Sequence, residues 1–288
     1  MSSSPLHLEP AAIAFGTDGW RGVLGVDITI ERLLPVAAAA AAELAHSAPP
    51  ELESRTVVIG YDRRFLAPEL AAAIAAAVRG VGLEPLLAQE PLPTPACSWV
   101  VVERRALGAL VITASHNPPE WLGLKIKGHF GGSVEGDFTK RVERRLQAGG
   151  ITVPEPGETE CFDGWAEYLQ GLRGAMDTNA LRHGLQSLGL KVIVDPMHGS
   201  AAGGLPALLG EAVSEIRSQR DPLFGGHPPE PLAPYLSELI AQVKASTAAG
   251  QPAVGIVFDG DGDRIAASGG RGRYCGTHLL LPLLLAHL

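Results

Sequence analysis

Two short stretches hold residue types that could do chemistry together. Thr113-Ala114-Ser115-His116-Asn117-Pro118 sets a hydroxyl beside an imidazole on a loop stiffened by Asn117-Pro118-Pro119. Asp259-Gly260-Asp261-Gly262-Asp263-Arg264 alternates three carboxylates with two glycines and ends on a guanidinium. Carboxylates this close repel one another unless a cation sits among them, and the glycines let the backbone curl so that the oxygens converge. Hard oxygen ligands suit Mg2+ or Ca2+ rather than zinc or copper. A calcium EF-hand would need Gly at the sixth loop position and Glu at the twelfth. Counted from Asp259 these are Arg264 and Gly270, and a strand rather than a helix precedes the loop. Mg2+ completes its shell with water and phosphate oxygens, so a phosphate-carrying partner suits a carboxylate loop with an arginine attached. Taken singly, each stretch also reads as an ordinary turn: a solvated Ser-His loop, and a Gly/Asp hairpin without a metal.

Both stretches follow short apolar runs, 107–112 and 254–258, which read as buried strands. In open α/β sheets ligands bind just beyond the carboxyl ends of strands, which places both loops at a sheet mouth. The flanking pattern alternates helices and strands. Residues 30–46, 68–81 and 94–105 read as helices, and 57–62 and 83–88 as strands. Residues 122–127 read as a strand with Lys125 and Lys127 on one face, and 136–149 as a helix whose charges form a solvated face. Further on, 164–172, 179–188, 203–209 and 236–246 read as helices, and 191–196 and 213–218 as strands. This alternation predicts an α/β layered architecture. The Gly- and Pro-containing segment 149–159 reads as a domain boundary. Arg21 lies in a glycine-rich loop, 15–22, where a guanidinium could fork onto a phosphate; Arg63 and Arg64 follow the strand 57–62. His198 reads as a packed turn histidine.

The chain has 288 residues, enough for two domains of roughly 100–200 residues each. A net charge of -8 and the lack of a dense Lys/Arg block argue against a nucleic-acid partner. Cys97, Cys161 and Cys275 are widely spaced and form no CxxC pair, which points to a reduced, cytoplasmic chain without a zinc site. The N-terminus lacks the pattern of a signal peptide. No run reaches the roughly 20 apolar residues that span a bilayer. No Walker loop, GxGxxG or GxSxG motif occurs.

Six motifs occur in order: Phe-Gly-Thr-Asp-Gly-Trp-Arg-Gly (15–22), Gly-Tyr-Asp-Arg-Arg (60–64), Thr-Ala-Ser-His-Asn-Pro (113–118), Gly-Leu-Lys-Ile (123–126), Asp-Pro-Met-His-Gly (195–199) and Asp-Gly-Asp-Gly-Asp-Arg (259–264). Together they resemble the α-D-phosphohexomutase family, which includes phosphoglucomutase and phosphomannomutase, over nearly the whole chain. The resemblance implies two consecutive α/β/α three-layer sandwich domains, residues 1–150 with a phosphoserine loop and 151–275 with a metal loop. Residues 276–288 would open a third domain, and the family's third and fourth domains would be missing.

The resemblance further implies that Ser115 is phosphorylated and exchanges its phosphoryl group with a hexose monophosphate through a hexose 1,6-bisphosphate. It implies Mg2+ held by Asp259, Asp261, Asp263 and a phosphate oxygen on Ser115. Lys125 and Arg264 match groups for proton transfer or charge stabilisation; Arg21, Arg64 and His116 match groups near the phosphoserine, with Arg21, Arg64 and Lys125 expected to bind phosphate. The family's sugar-recognition loop and its grip on the non-transferring phosphate belong to the missing domains. Two readings follow: a mutase incomplete as a single chain, or a non-catalytic metal- and phosphosugar-binding module. The apolar tail 279–285 would fold back, pair with a second copy, or dock on a separate chain supplying the other domains.

Overall fold

The computed structural model describes residues 9–149 and 157–287. The expected boundary segment 149–159 therefore lies largely outside the described residues. The first half runs β1 (Trp20–Val23), α1 (Ile30–His46), β2 (Thr56–Tyr61), α2 (Ala67–Gly80), β3 (Glu84–Ala88), α3 (Thr94–Glu103), β4 (Gly108–Ile112), β5 (Trp121–Gly128), α4 (Gly136–Ala148) and β6 (Glu160–Phe162). Its strands form one sheet in the order β1-β5-β4-β2-β3-β6. β4, β2, β3 and β6 are parallel, while β5 runs antiparallel to β4 and β1 antiparallel to β5.

Helices cover both faces of this sheet, which is why β2 and β4 are continuous apolar runs rather than alternating ones. A Cβ at Gly108 would strike Leu44 of α1, whereas one at Gly60 would strike Cys97 of α3, so α1 and α3 lie on opposite faces. The alanine run Ala37–Ala41 in α1 is buried throughout, small side chains letting that helix sit close on the strands.

The second half runs α5 (Gly164–Ala175), α6 (Thr178–Ser187), β7 (Lys191–Asp195), α7 (Gly204–Leu209), β8 (Val213–Glu215), α8 (Ser237–Ala248), β9 (Ala253–Phe258), β10 (Ile265–Ser268), β11 (Tyr274–Cys275) and α9 (Thr277–His287). Its sheet order is β11-β10-β9-β7-β8, with a parallel trio β9-β7-β8 and two antiparallel strands at one edge. The two α/β layered units match the expected fold class.

Several local readings change. Trp20–Val23, read as part of a loop, is an edge strand; Gly22 hides its character, and its strand geometry comes from pairing with β5. Glu160–Phe162 lies beyond position 150 in sequence yet adds a strand to the first sheet through β3. The charges of α4 are not all solvated, since Arg141 and Arg145 reach Glu43 of α1, itself 1% exposed, at 2.5 and 2.7 Å. A buried carboxylate needs such partners. The tail is a helix, and Leu279, Leu281, Leu283, Leu284 and Leu285 on it are exposed. No described helix is long and apolar enough to cross a membrane.

Candidate active site

The strands β4 and β9 deliver the two loops. At the end of β4 the Thr113 hydroxyl accepts from the Ser115 amide at 2.8 Å and donates to Asp62 at 2.7 Å. This local bonding holds Ser115 at φ +54°, a left-handed conformation that a non-glycine residue adopts only when its surroundings enforce it.

Arg64 enforces it from below. Its Nε donates to Asp62 at 3.1 Å, and its four remaining N–H groups meet the carbonyls of Ser115, Asn117, Pro118 and Trp121 at 2.7–3.1 Å. All five guanidinium donors are thus engaged inside the protein, and the side chain is 1% exposed. Arg64, expected to bind phosphate, has no guanidinium donor left to face the cleft. It clamps the serine loop instead. The Phe224 ring of the second half lies 4.9 Å from the guanidinium.

At the end of β9 the backbone turns back on itself. Asp259 Oδ1 accepts from the amides of Asp263 and Arg264, each at 3.0 Å, and its Oδ2 accepts from Ser115 Oγ at 2.9 Å. Residues 144 apart in sequence therefore meet through one hydrogen bond. The approach needs Gly260, because a Cβ there would lie 2.6 Å from the Ser115 carbonyl oxygen.

Carboxylate oxygens of Asp259, Asp261 and Asp263 lie within 4.8 Å of one another. Burial, then the charges on Asp261 and Asp263, push the Asp259 carboxyl well above its ordinary range. Asp261 is buried too, but the Lys125 ammonium beside it outweighs burial and holds it low. Lys125, 1% exposed, touches Asp18 at 2.8 Å, Asp261 at 2.7 Å and Asp263 at 2.5 Å. Burial opposes its charge, yet these three carboxylates raise its pKa, so it stays an ammonium. Asp18 is likewise carried down by Lys125 against the effect of burial.

One ammonium among these carboxylates leaves the cluster negative. Asp261 Oδ1 is buried and has no hydrogen-bond partner. An unpaired buried carboxylate oxygen amid hard oxygen donors is what a Mg2+ ion would satisfy, so the residues fit that ion.

Asp18, Arg21, Ser115, His116, Asp263 and Arg264 line one cleft of about 610 Å3. Gly19 makes its rim possible, since its φ of +109° lets the backbone lie within contact of β5 and brings Asp18 onto Lys125. Arg21 Nη1 donates to Asn117 at 3.0 Å. His116 Nδ1 is 3.5 Å from Ser115 Oγ, and its Nε2 is 3.9 Å from Glu230, which also lies 4.0 Å from Arg264. Burial, then the Arg264 charge, push the His116 pKa down, so the ring is neutral near pH 7.

His198 stays in its turn, with Nδ1 3.0 Å from the Gln219 carbonyl. Sequence reasoning assigns no role to Asp18, Thr94 or Glu230. Asp18 carries the clearest signal of the three, since it sits between glycines in the same loop as Arg21.

The fold and this pairing define a layered α/β protein in which a serine loop and an acidic loop from two units meet at one cleft. The profile of phosphoglucomutase/phosphomannomutase α/β/α domain I matches residues 12–150, and that of domain II matches residues 166–272. The chain belongs to this family. A phosphoglucosamine mutase of Halorhodospira halophila is 31% identical over 264 residues, 87% of this chain and 53% of that protein. One from Synechococcus sp. is 32% identical over 95% of this chain and 56% of its own length. The crystal structure of a candidate phosphomannomutase from Thermus thermophilus superposes with a TM-score of 0.84 at 31% identity, covering 96% of this chain and 62% of that one. The chain spans a little over half the length of the curated relatives it matches.

Proposed function

We propose that the chain is the phosphoserine- and metal-bearing part of a hexose-phosphate mutase. The observation that carries this reading is the 2.9 Å hydrogen bond from Ser115 Oγ to Asp259 across the junction, beside three convergent carboxylates. In this reading Ser115 holds a phosphoryl group and passes it to a hydroxyl of a hexose monophosphate. The bond from phosphorus to Ser115 Oγ breaks, and a bond to the sugar oxygen forms. The sugar hydroxyl gives up its proton to a neighbouring base, the freed Ser115 oxygen takes up a proton, and the product is a hexose 1,6-bisphosphate. Return of the other phosphoryl group to Ser115 completes the isomerisation.

Mg2+ held by Asp259, Asp261, Asp263 and an oxygen on Ser115 would neutralise charge on the transferring group. His116, uncharged at neutral pH and 3.5 Å from Ser115 Oγ, is placed to take and return the proton. Lys125 is bound by three carboxylates and serves as a fixed positive charge rather than a base. Arg264 and Arg21 present guanidinium groups at the cleft for phosphate oxygens.

The relatives' names put glucosamine phosphate beside glucose and mannose phosphates as substrates to try. The test is mass spectrometry after incubation with glucose 1,6-bisphosphate and Mg2+. Phosphoryl mass on Ser115 is expected, and its absence would overturn the reading. The alternative reading is a non-catalytic phosphosugar-binding module. Turnover of any of the three hexose phosphates by the purified chain alone excludes that module. Activity only on adding a second chain would assign part of the reaction to that chain.

A further inference from the structure

Thr94 opens α3 in the first half of the chain, 167 residues from the aspartate it touches. Its hydroxyl donates to Asp261 Oδ2 at 2.6 Å, and its amide donates to the Asp261 carbonyl at 2.8 Å. Both residues are buried, Thr94 at 2% exposure and Asp261 at none. Lys125 Nζ binds the same Oδ2 at 2.7 Å. One oxygen of Asp261 thus carries two donors and the other, Oδ1, carries none, although it is fully buried.

A carboxylate can rotate about its Cβ–Cγ bond and exchange its two oxygens. With one donor it keeps some of that freedom; with two donors fixed on a single oxygen it does not. A cation meeting the loop then finds one preset oxygen, free of competing donors.

We infer that Thr94 is a positioning residue for the cation site. It reaches across the domain junction to hold Asp261 with Oδ2 occupied and Oδ1 left without a competing donor. This rests on the metal-binding part of the reading above and adds a residue that touches no metal itself. Groups that orient metal-binding carboxylates typically change affinity about 10–100-fold when removed.

Thr94→Val is close to isosteric, removes only the hydroxyl, and keeps the amide contact to Asp261. Thr94→Ser keeps the hydroxyl. Titration calorimetry of Mg2+ alone into the full chain, with no sugar phosphate present, reads affinity without turnover. The expected result is a loss of about 10–100-fold in Mg2+ affinity for Thr94→Val, with Thr94→Ser close to wild type. Equal affinity of Thr94→Val and wild type, with both folded by circular dichroism, overturns the inference. So does an equal loss in Thr94→Ser, which would trace the effect to packing. If wild type itself takes up no Mg2+, the metal reading fails instead, and the inference with it. Should Thr94→Val not fold, Thr94→Ala carries the same comparison against Thr94→Ser.

Discussion

The serine loop and the aspartate loop occupy matching places, each at the end of a buried strand, yet they are satisfied in opposite ways. Around Ser115 the donors of Arg64 and Thr113 all have acceptors: Arg64 fills four carbonyls, and Asp62 takes the remaining donors of Arg64 and Thr113. Around Asp259–Asp263 three like charges crowd together, and one buried oxygen has no partner. The first loop is complete as folded. The second is held in a conformation that a bound cation would finish. The contrast shows where this protein places rigidity and where it places uncompensated charge: the hydroxyl loop is fixed by its own partners, and the acidic loop crowds carboxylates around the single Lys125 ammonium.

The sharpest way to break this comparison is to remove the hydroxyl. Ser115→Ala should lose phosphoryl incorporation from glucose 1,6-bisphosphate entirely, as read by mass spectrometry of the intact chain. Retained incorporation would move the acceptor elsewhere.

Next in size is the clamp. Arg64→Met leaves Asp62 buried without its counter-charge and four carbonyls unfilled. It should cost about 3–5 kcal/mol in urea denaturation, as breaking a buried ion pair does. A loss under about 1 kcal/mol would mean the loop holds itself.

The aspartate loop should answer to metal instead. At a Mg2+ concentration about a hundred times its Kd, the folded state gains about 2.7 kcal/mol over a chelated control in thermal denaturation. The pH dependence has a definite sign. The folded pKa of Asp259 is raised, so its proton favours the metal-free fold below the unfolded value of about 3.9, and that contribution is lost as pH rises through the raised value. The cation needs the ionised carboxylate. The Mg2+ effect should therefore grow with pH across that window. A constant effect would place the ion away from Asp259.

Smallest is a control remote from both loops. Arg104 pairs with Glu167 between α3 and α5 while half exposed. Arg104→Ala should cost about 0.2–1 kcal/mol and leave phosphoryl incorporation unchanged.

Much of this is legible in the residues. The strand before Ser115 and the one before Asp259 are apolar runs bounded by turn formers, and helix α1 reads from its alanines and leucines at its observed bounds. The serine, the aspartates, Lys125, Arg21, His116 and Arg264 all stand out by type, spacing or motif, and the fold gathers them about one junction. Edge strands escape notice, because Trp20–Val23 and Glu160–Phe162 are strands by virtue of their neighbours rather than their own pattern. The role of Arg64 escapes for a related reason. A guanidinium after a strand looks the same in sequence whether it faces a cleft or fills carbonyls beneath a loop.

By itself, the sequence determined the alternation of strands and helices, the two loops, and the chemical character of each: hydroxyl on one, hard oxygen donors on the other. Those follow from local periodicity and residue chemistry, which need no partner from afar. Only the tertiary structure decided that the loops touch, that Lys125 is shared by Asp18, Asp261 and Asp263, and that Thr94 and Lys125 crowd one oxygen of Asp261 and leave the other bare. These are contacts between residues far apart in the chain. Burial turns them from weak surface encounters into strong, directional ones, and no local pattern encodes which distant group will be there.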